Sequence, residues 1–486
     1  MNDACGALRP QPNIVIIYTD QQRYDTLGSS GNRLIQTPNL DRLADQGACF
    51  SRAYVTCPIC VPSRVSLWTG RYNHTNLSYN NNRLMSPREA DFAMAFKTAG
   101  YHTALIGKNH CFPYDRTHET FETFLPAGHA GFAPALNPAG QRNLDVRAGK
   151  MTVPFAPDPV DPEENPTAQI VREAMRFVEE KRDGPFLLWL SIPDPHPPYM
   201  VAEPWASMYA DVAMPPPAWR EGEMADKPYR QRLLVEWDRF SRDYPGDDVL
   251  KLRRIYWGMV SCIDEHVGRL LTALERTGID GNTIVAFTSD HGDYMGDHRM
   301  VRKSVNLYEA LVHVPLIIKG PGVAARSSSA MVENVDIMPT LAEMAGLDMP
   351  EGVQGSSFAG VLRAESAAHR DHVCLEHGNP GPVLRPGDIS PADYDRLRFS
   401  EHHLGREVSS GPVKGVRTDR WKYCMTPGDV DELYDLINDP DELVNLARDP
   451  SHAKVCADHQ RMILEWLVAT EESPFAGVVA NKEKTG

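Results

Sequence analysis

Four short apolar runs in this chain each end in residues able to do chemistry, and that pattern narrows the folds open to it. "NIVIIYTD" (13–20), "YHTALIGK" (101–108), "FLLWLSI" (186–192) and "NTIVAFTSD" (282–290) are rich in β-branched and aromatic residues. They are too short for helices and read as buried strands. Helical spacing fills the stretches between them. "TPNLDRLADQG" (37–47) places Thr37 at the cap, Pro38 in the first turn and Gly47 as the stop. Residues 167–183 put Val171, Ala174 and Val178 on one face before Gly184-Pro185, and residues 250–276 line up Met259, Ile263, Val267, Leu270 and Leu274. Strands alternating with helices predict an α/β fold with a large, mostly parallel central sheet flanked by helices. The Pro-rich pieces "VPFAPDPVDPEENP" and "MPPPAW" read as surface excursions. Beyond about residue 365 the texture changes. "GPVKGVRTDRWKYCM" and "DELYDLINDPDELVNLA" predict a small antiparallel sheet, an acidic turn and a closing helix. The expected division is a larger unit over 1–365 and a smaller α+β subdomain over 366–486.

The first strand runs out into Asp20-Gln21, the second into Lys108 and His110, the third into His196 and the fourth into Asp290-His291. In open parallel sheets ligands sit at the carboxyl ends of the strands, so these groups are expected to converge. Taken singly each has a plainer reading: Lys108 as a solvated strand end, His196 as a turn residue among prolines, Asp290 as a helix cap.

A formal charge of −15 over 486 residues argues against nucleic acid as a partner, because no excess of cations is available to displace phosphate counterions. No apolar run approaches the roughly 20 residues that span a bilayer, so no membrane partner is expected. The opening "MNDACGALRPQP" lacks the basic start and apolar run of a secretory signal, and the expectation is a cytoplasmic protein. Nine cysteines, an odd number, fit reduced thiols. The sequons at Asn73 and Asn76 are therefore expected to stay unmodified.

The stretch "CPICVPSRVSLWTGR" (57–71) raises a separate question, since it holds two cysteines three apart. A zinc site needs a second pair of Cys or His ligands, and Cys5, Cys49, Cys111, Cys262, Cys374, Cys424 and Cys456 are scattered with no second C-x-x-C. Cys60 to Gly70, "CVPSRVSLWTG", instead resembles the signature of the type I, formylglycine-dependent sulfatases of the alkaline phosphatase superfamily. The resemblance extends through "TPNLDRLADQG", "GKNH", "DPHPPY", "SDHGD", the Lys before "YEALVHVPLIIKGPG", and "VRTDRWKY" with "ELYDLINDPDELVNLA".

That resemblance implies an alkaline-phosphatase-like fold and a sulfuric ester hydrolase. In the family a maturation enzyme oxidises the signature Cys to formylglycine, whose hydrate carries two hydroxyls on one carbon. One attacks sulfur as the ester S–O bond breaks. Deprotonation of the other expels sulfate by C–O cleavage and restores the aldehyde. The register to Pro62 and Arg64 selects Cys60, which leaves Cys57 structural. The resemblance further implies one divalent cation, Ca2+ before Mg2+ or Mn2+, with Asp20, Gln21, Asp290, His291 and the modified Cys60 as ligands. Many members carry Asp where this chain has Gln21 and Asn where it has His291, so the metal choice stays open. Arg64 is implied to hold the hydrate and the carboxylates, and Lys108 and Lys303 to clamp sulfate oxygens. His110 is implied as the base for collapse of the sulfated intermediate, and His196 as support for the sulfate or the leaving oxygen.

The substrate class expected is an aryl or carbohydrate sulfate monoester. A phosphonate monoester or phosphodiester hydrolase of the same superfamily is the alternative, and a non-catalytic metal-binding homologue is the rival of a different class. Three weaker readings complete the set. "HRMVRK" (298–303) is a solvated face or an anion-facing wall, in which His298 is a lesser candidate for substrate contact. "SYNNNR" (78–83) offers Asn82 and Arg83 to the pocket rim.

Overall fold

A computed structural model describes residues 11–129, 131–132, 155–237, 246–304, 306–388 and 411–471. A nine-stranded sheet runs through it in the order Arg326–Ser328, Ala48–Phe50, Leu316–Lys319, Thr283–Ser289, Asn13–Asp20, Phe186–Pro195, His102–Gly107, Thr123–Gly128, Gly131–Phe132. The four strands read from sequence lie side by side at its centre and are parallel, as is Thr123–Gly128 beside them. Antiparallel pairs occur where Leu316–Lys319 joins its two neighbours and at the Gly131–Phe132 edge.

Both faces of the sheet are covered, which is why its strands are apolar throughout. Successive side chains point to opposite faces. Val15, Ile17, Leu188 and Leu190 pack with Leu40, Leu43, Val171, Ala174, Val178, Ile263, Val267 and Leu270 on one side. Ile14, Ile16, Tyr18, Leu187 and Trp189 pack on the other with Val61, Val65, Trp68, Ile337 and Leu341. Each such side chain, fully buried, stabilises the fold by roughly 1.5–3 kcal/mol relative to exposure. The stripes read from the helical spacing are these faces of helices Pro166–Glu179 and Gly246–Thr277.

Some expectations need correction. Helix Pro38–Gln46 begins after Thr37, but the Thr37 hydroxyl makes no capping bond. The buried carboxylate of Asp264 takes the first amides instead, with Leu40 N donating at 2.7 Å and Asn39 N at 3.1 Å. The helix over 167–183 stops at Glu179 rather than at Gly184. The first Pro-rich piece is more than a surface excursion: Phe155–Pro157 pairs in parallel with Tyr199–Val201, and Asp158 and Val160 are buried. Three-residue strands carry no readable period, and prolines hid this one.

A second sheet, antiparallel, is formed by Val373–His377, Val413–Arg417, Trp421–Met425 and Glu432–Asp435. The closing helix, Ala453–Ala469, lies beyond "DELYDLINDPDELVNLA" and packs Ile463 against Val416, Tyr423 and Leu433. Val373, Leu375 and Val413 of this sheet share a core with Tyr54, Val55, Val312 and Val314. The described cysteines are all free thiols. No helix among the described residues is long and apolar enough to cross a membrane.

Candidate active site

The signature stretch forms helix Cys60–Thr69, buried on every side. Its composition explains its ends. Pro62 falls in the first turn, where an N–H has no intrahelical partner to lose. Asn81 Oδ1 accepts from Val61 N at 3.1 Å, satisfying another of the free amides. At the far end Gly70 takes φ 63° and its N–H bonds to Ser66 O, a left-handed stop that glycine adopts without strain. Cys60 is therefore held at the positive end of a helix dipole, close to the carboxyl ends of the central strands.

There four of the residues singled out from the sequence come together. The ligand atoms of Asp20, Cys60, Asp290 and His291 all lie within 4.8 Å of one another, and all four residues are buried. A register shift between Thr19 and Asp20, which pairs Asp20 with Pro195, accompanies the turn of the first strand into the site. No helix follows Asp290, so the helix-cap reading of it fails. Arg64 ties the cluster together: Nη2 donates to Asp20 Oδ2 at 3.0 Å, Nε to Asp290 Oδ2 at 2.9 Å and Nη1 to Ser191 Oγ at 2.8 Å. Its planar fork matches this arrangement in a way a lysine would not.

Lys108 Nζ donates to Asp20 Oδ2 at 2.5 Å. Lys303 Nζ lies 2.9 Å from Cys60 Sγ and 3.0 Å from Gln21 Oε1. Gln21 thus sits at the cluster, with φ 71° and its N–H donating to Asp290 Oδ1 at 2.9 Å. His291 Nε2 is 3.3 Å from Cys60 Sγ, and its Nδ1 is 2.8 Å from Gly292 O. A proton on Nδ1 suits that carbonyl and leaves Nε2 as the atom facing the cluster.

Burial opposes every charge in this cluster, so the neighbours decide the signs. Burial and Asp20 push the Cys60 thiol up, but Lys303, Lys108 and His291 outweigh them and hold it well below its usual value. Against burial, Lys108, His196, Lys303 and Arg64 keep Asp20 well below the carboxylate range. Burial and the neighbouring charge of Asp20 raise Asp290. Two carboxylates sharing one buried site split in this way, and a cation between them relieves the repulsion. The donor set therefore fits a divalent metal: two carboxylates, an amide oxygen and an imidazole whose other nitrogen is already engaged.

His196 and His110 make no hydrogen bond to Cys60. His196 Nδ1 is 2.7 Å from Pro197 O, and its ring stacks on His129 with centroids 4.1 Å apart. Burial, then Lys303 and His129, hold His196 well below its usual pKa. His110 has φ 56° and a buried Nδ1 with no hydrogen bond among the described residues. His129 was not singled out from the sequence, yet its Nε2 lies 3.2 Å from Lys108 Nζ. Nothing in "AGHAGF" marks it. Ser191 was also missed, although a lone serine inside "FLLWLSI" was a readable signal.

The weaker readings fare differently. His298 is buried against Glu223 (Nδ1 to Oε1, 2.7 Å) and stacks on Tyr308 at 3.8 Å. In the basic run Arg299 is exposed over Trp219, while Lys303 bonds to the cluster. In "SYNNNR", where Asn82 and Arg83 were offered to the pocket rim, it is Asn81 that bonds to the signature helix. Cys57 is buried and unpaired, as a structural residue would be. A cavity of about 160 Å3 lined by residues such as Arg23, Asp297, His313 and Glu442 does not reach Cys60. Its charges are matched internally, Asp297 by Arg23 and Arg253 and Glu442 by Lys422.

The sulfatase family model matches residues 12–347, and a model described as N-sulphoglucosamine sulphohydrolase, C-terminal, matches 296–404. An arylsulfatase of Clostridium perfringens is 30% identical over 95% of both chains. A choline-sulfatase of Rhizobium meliloti is 28% identical over 90% of this chain and 83% of its own. Among solved structures, a phosphonate monoester hydrolase of Agrobacterium radiobacter superposes with a TM-score of 0.79 at 26% identity, covering 95% of this chain and 96% of that one. With the family model spanning most of the chain, and full-length relatives beside it, the chain belongs to the sulfatase family of the alkaline phosphatase superfamily and is a sulfuric ester hydrolase.

Proposed function

We propose that the chain hydrolyses an aryl or carbohydrate sulfate monoester with Cys60, matured to formylglycine, as the nucleophilic residue beside a divalent cation. The observation that carries this reading is the placing of one buried thiol, at a helix start, within 4.8 Å of two carboxylates and an imidazole. Asp20, Gln21, Asp290 and His291 would hold the cation; when bound it would supply Lewis acidity at the ester oxygens. Asp20 and Asp290 face the side chains of three basic residues, Arg64, Lys108 and Lys303, a grouping suited to an anionic ester in an acidic protein. Lys108 and Lys303 bind the non-bridging oxygens, and Arg64 fixes both carboxylates. His196, whose Nδ1 is engaged by Pro197 O, lines the site as support for the sulfate or the leaving oxygen. His110, with an unengaged buried nitrogen, accepts the proton of the second step. The reading includes a maturation enzyme as a partner, and a catalytic unit over 1–365 with the subdomain over 366–486.

One observation favours the second reading. The structure that superposes at a TM-score of 0.79 over 95% of this chain is a phosphonate monoester hydrolase, at 26% identity. On that reading the same nucleophile and metal would act on a phosphorus ester.

Mass spectrometry of the Cys60 peptide, after co-expression with a formylglycine-generating enzyme, tests the nucleophile. The expected result is an aldehyde-bearing peptide, with turnover abolished in a folded Cys60→Ala variant. A fully thiol-bearing peptide, or retained turnover in the variant, contradicts the proposal and favours a non-catalytic homologue or another nucleophile.

A further inference from the structure

Gln21 lies between two groups that dictate which way its amide points. Asp293 Oδ2 accepts from Gln21 Nε2 at 2.5 Å, and Lys303 Nζ donates to Gln21 Oε1 at 3.0 Å. A carboxylate offers only acceptors and an ammonium only donors, so a single amide orientation satisfies both. The reversed amide would set oxygen against oxygen and N–H against N–H in a buried site, leaving at least two polar groups unsatisfied.

Asp293 is itself immobilised. Tyr199 Oη donates to its Oδ2 at 2.6 Å, and the backbone N–H groups of Met295 and Arg302 donate to its Oδ1 at 2.9 Å each. Both Asp293 and Tyr199 are completely buried. Tyr199 comes from the short strand Tyr199–Val201 that pairs with Phe155–Pro157, so an element invisible in the sequence anchors this contact. The Gln21 backbone is fixed as well. It holds φ 71°, its N–H is taken by Asp290, and Tyr256 Oη donates to its carbonyl at 2.6 Å. Glutamine seldom adopts this left-handed region, and the surrounding bonds over-determine it. Amide orientation is then the main freedom left to the residue, and Asp293 removes it.

We infer that Asp293, braced by Tyr199, is a positioning residue that turns the Gln21 amide so that its oxygen faces the Cys60 cluster and is available to a hard divalent cation. This rests on the cation site proposed above. A carboxylate at position 21 would need no such turning, and would meet a second buried carboxylate at 293. Gln21 and Asp293 are therefore a matched pair, and each loses its purpose without the other.

Calorimetric titration of Mn2+ and Ca2+ into the chelator-treated full chain tests the inference. Asp293→Asn can present either an oxygen or an N–H to Gln21, so both amide orientations become possible. The expected loss of cation affinity is roughly 10–100-fold, in the range found when groups that orient metal ligands are removed. Gln21→Asp alone is also expected to bind weakly, because it sets two carboxylates against each other. The Gln21→Asp/Asp293→Asn double variant is expected to regain most of the affinity, a sign reversal that general damage to the fold does not produce. Tyr199→Phe, which keeps the ring, gives a smaller loss in the same direction and serves if Asp293→Asn does not fold. Unchanged affinity in a folded Asp293→Asn or Tyr199→Phe variant overturns the inference, as does a double variant no better than Gln21→Asp. A wild-type chain that takes up neither ion removes the cation site itself and this inference with it.

Discussion

Asp20 and Asp290 are both fully buried, and one guanidinium bonds to each of them. Removing one partner of a buried ionic group costs far more than the pair itself contributes, because the charges left behind have no water to turn to. Arg64→Met is therefore expected to destabilise the metal-free protein by roughly 3–5 kcal/mol in urea unfolding. A loss below about 1 kcal/mol would mean that Lys108 and Lys303 alone neutralise the carboxylates. This much of the site was legible in advance, since "CVPSR" and the two Asp positions resemble a known signature. The amide orientation of Gln21 and the stacking of His129 on His196 were not legible. They depend on contacts across more than a hundred residues of chain or on ring geometry, and neither leaves a local pattern.

Glu376, in strand Val373–His377, shows how the small sheet is fastened to the elements that follow the signature helix. Its Oε1 accepts from Asn73 N at 2.7 Å and His74 N at 3.2 Å, at the start of the short helix Asn73–Asn76 that follows the signature helix, and Lys414 donates to Oε2. Burial pushes this carboxyl up, but Lys414 and His74 outweigh it and bring it from 4.5 to about 2. A carboxyl lowered in the folded state contributes its stability above its unfolded value and loses it as pH falls toward the folded one. The displacement corresponds to about 3 kcal/mol. Glu376→Gln is expected to be less stable than wild type by a nearly constant margin from pH 7 to about 5, and the margin should narrow as pH falls below about 4.5. Denaturant unfolding across that range is the check. A margin that does not change with pH would show that the carboxylate charge is not what holds the two elements together. The small sheet was foreseen, but its closing helix was placed too early. Acidic turns with scattered Leu mimic a helical stripe over "DELVNLA".

Over the molecule as a whole, the central strands were readable because a doubly covered parallel sheet demands continuous apolar runs, whereas their order in the sheet was not. The four foreseen strands stand together at its middle. Ala48–Phe50, Leu316–Lys319 and Arg326–Ser328 were not foreseen, since three or four residues at a sheet edge are set by pairing rather than by their own periodicity. Global charge was a poor guide to the site. A chain of net charge −15 groups three basic side chains at the cluster, because Arg64, Lys108 and Lys303 arrive from separate elements. That grouping suits any tetrahedral monoanion, so the ester itself must be asked. Turnover of 4-nitrophenyl sulfate against a phenyl phosphonate monoester, by the matured, metal-loaded chain with Cys60→Ala as the blank, is the most direct measurement. The account predicts a higher kcat/KM for the sulfate ester. A phosphonate rate far above the sulfate rate would contradict it.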